Sequence, residues 1–369
     1  MKVRFVQNQT DLESLATAWD RLASDNFFCR FNWLASWWSY FGRGNQLFVI
    51  VVEDEQGNIV GIAPCYRTYS AKCGRSIRFL GSNNVCSDYL RILAEPTHFE
   101  TASRWVATAL MDCAELKQTS WDLLELTGVT ADEPSVLKFC ESLEAAGCSL
   151  HDSDLESAWK IDLPENWEAY NTQLGKSFRR TLKKLEKDLV DTGKARFFEV
   201  TNKTEFDHGW AILLDLHQKR RESIGQPGCF VDARFGGFLK AAALMALQEG
   251  TLRLQWTELD GRPLAVSIGF SLQGTVNMYQ TGLDPELIEF RPGHLHNLFV
   301  IKRAMESGAR VVDFLRGNET YKALWRAKPT TLKTLRVVPP RLVPQLRHRI
   351  WMTGHSLKAW LTPATADKE

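Results

Sequence analysis

The most constraining feature of this chain is an order of helix and strand signals that occurs twice along its length. In the first half, the aromatic helix FNWLASWWSYFG at 31–42 precedes two β-rich runs that flank DEQGN at 54–58, which indicates a hairpin. The stretches SIRFLG and SDYLRILAEP indicate further strands, and DLLELTGV lies between helical patterns at about 100–117 and 134–147. This order predicts an α/β unit with a mixed sheet and helices on its faces.

The second half repeats the order. Helices are expected at about 175–190 and 204–222, and a small-residue helix then precedes three strands with turns at Asp260-Gly261 and Gln273-Gly274. The loop EFRPG opens a helix at about 293–307, and the strand VVDFL follows. We therefore predict two tandem α/β domains at 1–155 and 156–340, and a basic C-terminal helix and tail at 341–369.

Composition supports two such cores and excludes several functions. The 369 residues exceed what one core usually supports, and 44% of them are hydrophobic. The formal net charge of +1 excludes a globally basic nucleic-acid-binding protein but leaves room for a local basic patch. The N-terminal residues lack the apolar region of a signal peptide, and the run LFVIVV at 47–52 is too short to span a bilayer. Because the eight cysteines include no C-x-x-C pair, we expect a cytoplasmic protein with reduced thiols.

A loop followed by a helix, IEFRPGHLHNLFV at 288–300, is the first candidate site. Pro292 and Gly293 fit a sharp turn into a helix whose first N–H groups and dipole attract an anion. Arg291 adds a positive charge, so the expected ligand is a phosphate or pyrophosphate. A plain turn with proline near the helix start explains the same residues without a ligand.

The helix GKSFRRTLKKLEKDLV combines an apolar stripe with a basic surface. The stripe that we expect to be buried consists of Phe178, Leu182, Leu185 and Leu189. The cations are Lys176, Arg179, Arg180, Lys183, Lys184 and Lys187. These cations either bind an acidic ligand, such as a nucleotide phosphate, an anionic glycan or RNA, or form a solvated helix face.

Histidine chemistry is the next candidate. His217 lies one helical turn before Arg220 and Arg221, so it should prefer the neutral form and could accept a proton, although a structural histidine fits as well. Sequence motifs of serine hydrolases, P-loop proteins, zinc proteases and dinucleotide-binding proteins are absent. His294 and His296 lack the cysteine or carboxylate company of a zinc site, which favours metal-independent chemistry.

The C-terminal segment RLVPQLRHRIWMTGHSLKAW carries four cations and no acid. It is expected either to lie on anionic lipid as an interfacial helix or to pack on the second domain. Packing is the favoured interpretation because the segment has no long apolar face.

The run GLDPELIEFRPGHLHNLFVIKRAMESGARVVDFLRGNETYKALW resembles the hallmark region of the BioF2-like or CelD-like acetyltransferases. They are a branch of the GNAT superfamily found alongside polysaccharide and envelope biosynthesis. The resemblance extends through HQKRRESIGQPGCF, SFRRTLKK, the predicted SDYLRILAEP strand pair and the FNWLASWWSYFGRG helix, so it covers nearly the whole chain. It implies two tandem GNAT-like acyltransferase domains, distantly related to the Fem peptidyltransferases that add amino acids to peptidoglycan precursors.

The resemblance also implies acyl-CoA, such as acetyl-CoA, as cosubstrate and no metal. The cofactor-binding residues that it implies are Gly282, Arg291, Pro292, Gly293, His294 and Leu295. The loop has less glycine than the usual GNAT loop, and Arg291 stands where many relatives of this branch carry serine.

Enzymes of this kind transfer the acyl group directly, so they need a base for the amine and an acid for the leaving thiolate. Asp313 is the first candidate for substrate orientation or for the base, because burial raises the pKa of a carboxyl group. A structural ion pair with Arg316 or Lys322 is the alternative. Tyr321 and Tyr279 are candidates for the acid, with His217 as a further catalytic candidate. The substrate-binding candidates are Arg180, Arg221, Arg316, Lys322 and Trp325.

The function that the resemblance implies is an acyl-CoA-dependent N-acyltransferase, or an O-acyltransferase, for an amino-sugar or other envelope or polysaccharide precursor. One alternative is a Fem-like aminoacyl-tRNA-dependent transferase that holds tRNA on the basic helix. Another is a non-catalytic GNAT-fold partner of a polysaccharide synthase complex. The implied location is the cytoplasm, with a peripheral position at the inner face of the membrane left open.

Overall fold

A computed structural model of the chain describes residues 1–82 and 85–361, and the side chains up to residue 353 of the C-terminal helix. The chain divides into two compact units. The first contains Met1–Ala23, Gly42–Leu155 and the segment from Lys333 onward, and the second contains Ser24–Phe41 and Glu156–Leu332. Relative to the sequence-based boundaries, the aromatic helix therefore lies in the second unit, and the chain after residue 332 lies in the first.

Helices and strands alternate along most of the described chain. The strands are β1 (Lys2–Val6), β2 (Gln46–Leu47), β3 (Val49–Glu53), β4 (Ile59–Ala63), β5 (Cys65–Ser70), β6 (Gly74–Phe79), β7 (Leu93–Ala94), β8 (Leu123–Thr130), β9 (Ser149–Asp154), β10 (Ala158–Asp162), β11 (Ala195–Glu199), β12 (Leu252–Leu259), β13 (Arg262–Leu272), β14 (Thr275–Leu283), β15 (Val311–Arg316), β16 (Lys328–Thr330) and β17 (Leu332–Val338). The α-helices are α1 (Gln9–Glu13), α2 (Ala16–Ala23), α3 (Phe31–Phe41), α4 (Phe99–Glu115), α5 (Pro134–Ala145), α6 (Trp167–Gln173), α7 (Lys176–Leu185), α8 (Lys203–Ser223), α9 (Ala233–Gln248), α10 (Pro292–Glu306), α11 (Tyr321–Leu324) and α12 (Leu342–Leu361).

The first unit contains two sheets, with strand orders β1-β3-β4-β7 and β2-β5-β6-β8-β17-β9. The predicted hairpin is the antiparallel pair β3 and β4. The predicted strand pair in SDYLRILAEP is wrong, because only Leu93–Ala94 is a strand among residues 87–96, all of which the structure describes. Cys86 and Tyr89 have positive φ angles of 46° and 63°, so the backbone turns there and does not extend.

The second unit contains a seven-stranded sheet with the order β11-β12-β13-β14-β15-β10-β16. Its first four strands form an antiparallel meander, and β14 pairs with β15 in parallel. Both predicted hairpin turns are confirmed. In each turn the two central residues have positive φ, at Asp260 (49°) and Gly261 (82°) and at Gln273 (47°) and Gly274 (76°), as type I′ turns require.

The core of the second unit lies where α7 and α10 cover one face of this sheet. Its centre includes Tyr170, Leu182, Leu298, Val312 and Trp325, all nearly inaccessible to solvent. The predicted apolar stripe of the basic helix is buried as expected, and its last turn continues as a π-helix over Glu186–Val190. This packing fixes α10, and hence the loop before it, against the sheet.

The C-terminal helix α12 packs against the first unit, so the expectation that it lies on the second domain is wrong. Arg341 and Arg347 pair with Asp122, and the Trp351 ring meets the guanidinium of Arg336 at 3.9 Å. Leu342, Val343, Leu346 and Ile350 are exposed. Contact with anionic lipid stays a prediction, and residues 362–369 of the predicted tail lie outside the described part. No helix in the described chain has the length and apolar character needed to cross a membrane.

Candidate active site

The central feature of the second unit is the place where β14 and β15 part. Their parallel pairing ends at Asn277 opposite Asp313, although β14 continues to Leu283. The pairing of β14 with β13 shifts register between Met278 and Gln280, so Tyr279 is the extra residue of a β-bulge. Beyond Asn277 the β15-facing edge of β14 therefore offers backbone groups to a ligand.

The loop after β14 enters α10 through a left-handed residue. Arg291 has φ 52° and ψ 57° and is exposed, and Pro292 is the first helical residue and has no N–H group. The N–H groups of His294 and Leu295 both donate to the carbonyl of Arg291, at 3.0 and 3.1 Å. Among the first four helical residues, Gly293 alone therefore keeps an N–H group for a ligand within the described structure, and open space surrounds the position of its missing Cβ.

A cavity of about 400 Å³ lies beside this helix start. The residues that line it are Thr181, Lys184, Leu185, Asp188, Leu189, Lys194, Glu289, Phe290 and Arg291. Three cations and two carboxylates give the cavity a net positive charge. One lysine of the basic helix therefore belongs to the same site as the predicted anion loop, a relation that the sequence pattern did not reveal.

Phe178 joins the loop to the segment after β15. Its ring meets the ring of His294 edge-on at 5.1 Å and the ring of Trp325 edge-on at 5.0 Å. Burial lowers the pKa of His294, and the charge of Arg291 lowers it further, so this ring is neutral at pH 7. Trp325 is fully buried, its carbonyl accepts the Tyr170 hydroxyl at 2.5 Å, and its indole N–H has no acceptor among the described residues.

Asp313 is fully buried in β15, as the sequence indicates. Its Oδ1 accepts the N–H of Leu315 at 2.7 Å, and its Oδ2 lies 3.7 Å from the ammonium of Lys160 on the neighbouring strand β10. Leu315 has a left-handed φ of 57°, so the carboxylate stabilises a sharp bend at the end of the strand. The structure thus adds Lys160 as an ion-pair partner of Asp313 that the sequence did not indicate.

Lys322 is a buried cation that also stabilises the bend at Leu315. Its ammonium donates to the carbonyl groups of Leu315, Arg316 and Gly317 at 3.1, 3.2 and 3.0 Å, and it pairs with Glu319 at 2.8 Å. These contacts satisfy the ammonium within the protein, which suits a structural role. A substrate-binding role for Lys322 stays a prediction.

The tyrosine candidates differ in their surroundings. Tyr321 packs edge-on against Phe314, and burial raises the pKa of its phenol, with a further rise from Glu319. Tyr279 lies half-buried among aromatic rings, including Trp33 at 5.2 Å and Phe28 at 5.8 Å. Tyr321 therefore retains its proton at neutral pH, as a general acid must.

His217 and Gly282 meet where α8 crosses β14. A Cβ atom on Gly282 would lie 2.5 Å from the backbone nitrogen of His217, so glycine permits this close approach of helix and strand. The His217 ring is buried, with Nδ1 3.1 Å from the carbonyl of Thr281 and Nε2 3.4 Å from the Sγ of Cys229. Burial and the charge of Arg221 lower the pKa of His217, consistent with the expected neutral form.

The substrate-binding candidates Arg180 and Arg221 lie on α7 and α8. Arg180 is exposed on α7, and Arg221 donates to the side chain of Gln226 at 2.6 Å. Sequence reasoning missed Lys160 and Cys229 as site residues. It also missed that the Phe178 ring contacts both His294 and Trp325. The sequence signal available for Cys229 was its position after Gln-Pro-Gly, twelve residues beyond His217. Only the fold brings the side chains of Cys229 and His217 together.

Residues 176–323 match a protein-family model described as an acetyltransferase (GNAT) domain. The part of the second unit from α7 to α11 is therefore similar to a GNAT domain. The match runs from α7 to α11 and includes β14, β15 and the start of α10, so it covers the elements that form the site. The predicted mixed α/β fold and acyltransferase class are confirmed, whereas the particular BioF2-like or CelD-like branch stays a prediction.

Solved structures with a similar fold extend the likeness to both units. The crystal structure of FemX superposes with a TM-score of 0.61 at 10% identity, covering 90% of this chain and 97% of that one. A conserved protein of unknown function from Bacteroides thetaiotaomicron gives 0.59 at 12% identity, covering 91% and 100%. L-PGS from Bacillus licheniformis gives 0.54 at 9% identity, covering 93% and 95%. No match was found among curated proteins. At these identities the likeness shows the fold alone.

Proposed function

We propose that this protein is an acyl-CoA-dependent N-acyltransferase of the BioF2-like or CelD-like kind. The observation that carries the proposal is that the residues of the GNAT match include both the parting of β14 and β15 and a helix start with open space at Gly293. The acceptor that we propose is the amine of an amino sugar or of another envelope or polysaccharide precursor. Transfer to a hydroxyl group of such a precursor is the O-acyl form of the same reaction.

The residues at the helix start fit an anionic cosubstrate such as acyl-CoA. The Gly293 N–H group belongs to the first turn of α10, and the missing side chain leaves room for a phosphate to approach the backbone. Lys184, Lys194 and Arg291 line the adjoining cavity and would neutralise phosphate charge. When bound, acyl-CoA supplies the activated acyl thioester.

Around the thioester, the chain's own groups would orient the reactants and move protons. The β14 edge beyond Asn277 presents backbone N–H groups that could polarise a carbonyl, and the bulge at Tyr279 changes their direction. Asp313 lies at the point where the strands part and is our candidate for orienting or deprotonating the amine. Tyr279 or Tyr321 would protonate the leaving thiolate.

Calorimetric titration with acetyl-CoA tests the cosubstrate. Lys184→Gln removes a cation from the cavity, and we expect roughly fivefold weaker binding, equivalent to about 1 kcal/mol. Lys187→Gln is the matched control, because this residue is exposed on the same helical segment and does not line the cavity. If both variants and the wild type bind acetyl-CoA with equal affinity, the cavity is not part of the cosubstrate site. If the wild type binds no acyl-CoA, the proposal is rejected.

Gly293→Ala separates binding from stability at the helix start. The added methyl group meets nothing within 4 Å and alanine is the better helix former, so we expect a gain of about 0.5–1 kcal/mol in the free energy of unfolding. The same methyl group would obstruct a phosphate that approaches the N–H group, so acetyl-CoA binding should weaken. Unchanged binding in a stabilised variant would show that no phosphate lies there.

A Fem-like aminoacyl-tRNA-dependent transferase is the second candidate. The similarity to FemX across 90% of the chain favours it, together with the exposed cations of α7. Arg180 and Lys183 are exposed and do not line the cavity, so their change to Gln should weaken tRNA binding and its salt dependence but spare acetyl-CoA. Filter binding at several salt concentrations decides between the two candidates, because tRNA binding that ignores these changes rejects the second.

A further inference from the structure

A thiol and an imidazole face each other on the second unit, in contact with the strand that carries the proposed acyl site. His217 belongs to α8 and is 1% exposed, whereas Cys229 is half-buried at the start of a short 3₁₀ turn, Cys229–Val231. The Sγ of Cys229 lies 3.4 Å from the Nε2 of His217, within reach of an S–H···N hydrogen bond. Cys229 is therefore the more exposed residue of the pair, and His217 is the buried one.

The second ring nitrogen of His217 determines which proton the imidazole carries. Nδ1 lies 3.1 Å from the carbonyl oxygen of Thr281, which can only accept, so the neutral ring must carry its proton on Nδ1. Nε2 is then left with a lone pair directed at Cys229. This is the order of groups found in activated nucleophiles: a nucleophile, a base, and a third group that orients the base.

The surroundings of the pair hold this geometry. The Phe230 ring stands perpendicular to the imidazole with 4.9 Å between centroids, and Gly282 lets the backbone of α8 approach β14 at this point. Gly228, directly before Cys229, has φ 75° and so turns the chain in a conformation that other residues adopt rarely. Burial lowers the pKa of His217, and Arg221 adds to that effect, so the base is unprotonated at neutral pH.

We propose that Cys229 is an acylation site whose nucleophile is activated by His217. The Cys229 sulfur attacks the carbonyl carbon of an acyl thioester while its proton passes to Nε2 of His217. The carbon–sulfur bond to the donor breaks, and the leaving thiolate takes that proton, so one thioester replaces another. The donor in this step rests on the proposed function, but the activation of the thiol does not.

Alkylation kinetics test the activation directly. Folded protein is treated with iodoacetamide, and the modification rate of each cysteine is followed by peptide mass spectrometry. His217→Asn keeps a donor near the position of Nδ1 and removes the Nε2 base, so we expect alkylation of Cys229 to slow by about tenfold or more. Cys73, which is also half-buried, is the control and should be unaffected. A Cys229 rate that His217→Asn leaves unchanged in folded protein would overturn the proposal.

Acyl transfer is tested with two donors, acetyl-CoA and the small acetyl thioester of N-acetylcysteamine. We expect each to add one acetyl group to Cys229, removable by neutral hydroxylamine and absent from Cys229→Ala. Labelling by the small thioester but not by acetyl-CoA would support the site and count against acyl-CoA as the donor. Binding of acetyl-CoA with no label on Cys229 from either donor would overturn the acylation site and leave the proposed function standing. Circular dichroism confirms that each variant is folded.

Discussion

Acid should destabilise the second unit through His296, which links α10 to the sheet. The ring is 2% exposed, with Nδ1 3.0 Å from the Thr257 hydroxyl on β12 and Nε2 2.8 Å from the Ser267 hydroxyl on β13. Burial lowers the pKa of His296 from an ordinary 6.5 to about 3. Either hydroxyl can donate or accept, so the loss of water, and not a missing hydrogen-bond partner, keeps this imidazole neutral.

The sign and size of the effect follow from these two pKa values. Because the unfolded chain binds the proton more tightly, the stabilising contribution is complete above about pH 6.5 and declines as the pH falls toward 3. Each pH unit in that window removes about 1.4 kcal/mol. Acidification to about pH 4 should therefore cost about 3 kcal/mol at this residue, a large part of the stability of a typical domain.

Urea unfolding followed by circular dichroism, at several pH values between about 7 and 4, measures this effect against a matched variant. His296→Gln cannot titrate in this range, whereas every carboxyl group and the other histidines remain. Gln is also less well fitted to the two hydroxyl groups, so we expect the variant to be less stable at pH 7 and to lose less stability on acidification. Free energies that fall in parallel, within about 0.5 kcal/mol, would refute the argument that burial holds His296 neutral.

Three further substitutions test the elements around the site. Gly282→Ala should cost about 1–3 kcal/mol in urea unfolding, because its Cβ would overlap backbone atoms of α8, and an unchanged midpoint would contradict that contact. Lys322→Met should cost about 3 kcal/mol because it leaves carbonyl groups of Leu315, Arg316 and Gly317 without their donor, and a smaller loss than about 1 kcal/mol would argue against its structural role. Asp313→Asn keeps an acceptor for the Leu315 N–H, so stability should change little, whereas turnover should fall by about a hundredfold if the carboxylate is the base. Steady-state kinetics with full activity would make Asp313 structural only.

Much of the second unit could be predicted because its signals are local. The pairs Asp260-Gly261 and Gln273-Gly274 predict their turns since positive φ is accessible to few residues. Arg291 before Pro292 marks the start of α10, and Asp313 between apolar residues is as buried as the strand around it. Each of these features depends on neighbours within a few positions along the chain.

The partners of the candidate residues could not be predicted, because they come from distant parts of the chain. Lys160 reaches Asp313 from a strand that precedes it by about 150 residues, and the sequence offered nearer cations as its partner. The carbonyl groups that satisfy Lys322 become available only when the chain bends at Leu315. Side-chain type limits which contacts are possible, but the register of strands selects among them.

The sequence by itself determined the succession of helices and strands, the hairpin turns, the apolar stripe of α7 and the burial of Asp313. Only the tertiary structure decided that the chain after residue 332 completes a sheet of the first unit, where β17 pairs with β9. It also decided that Cys229 meets His217 and that Lys184 lies beside the start of α10. Local conformation follows from backbone preferences and periodicity, whereas these contacts join segments whose separation in sequence leaves no local pattern.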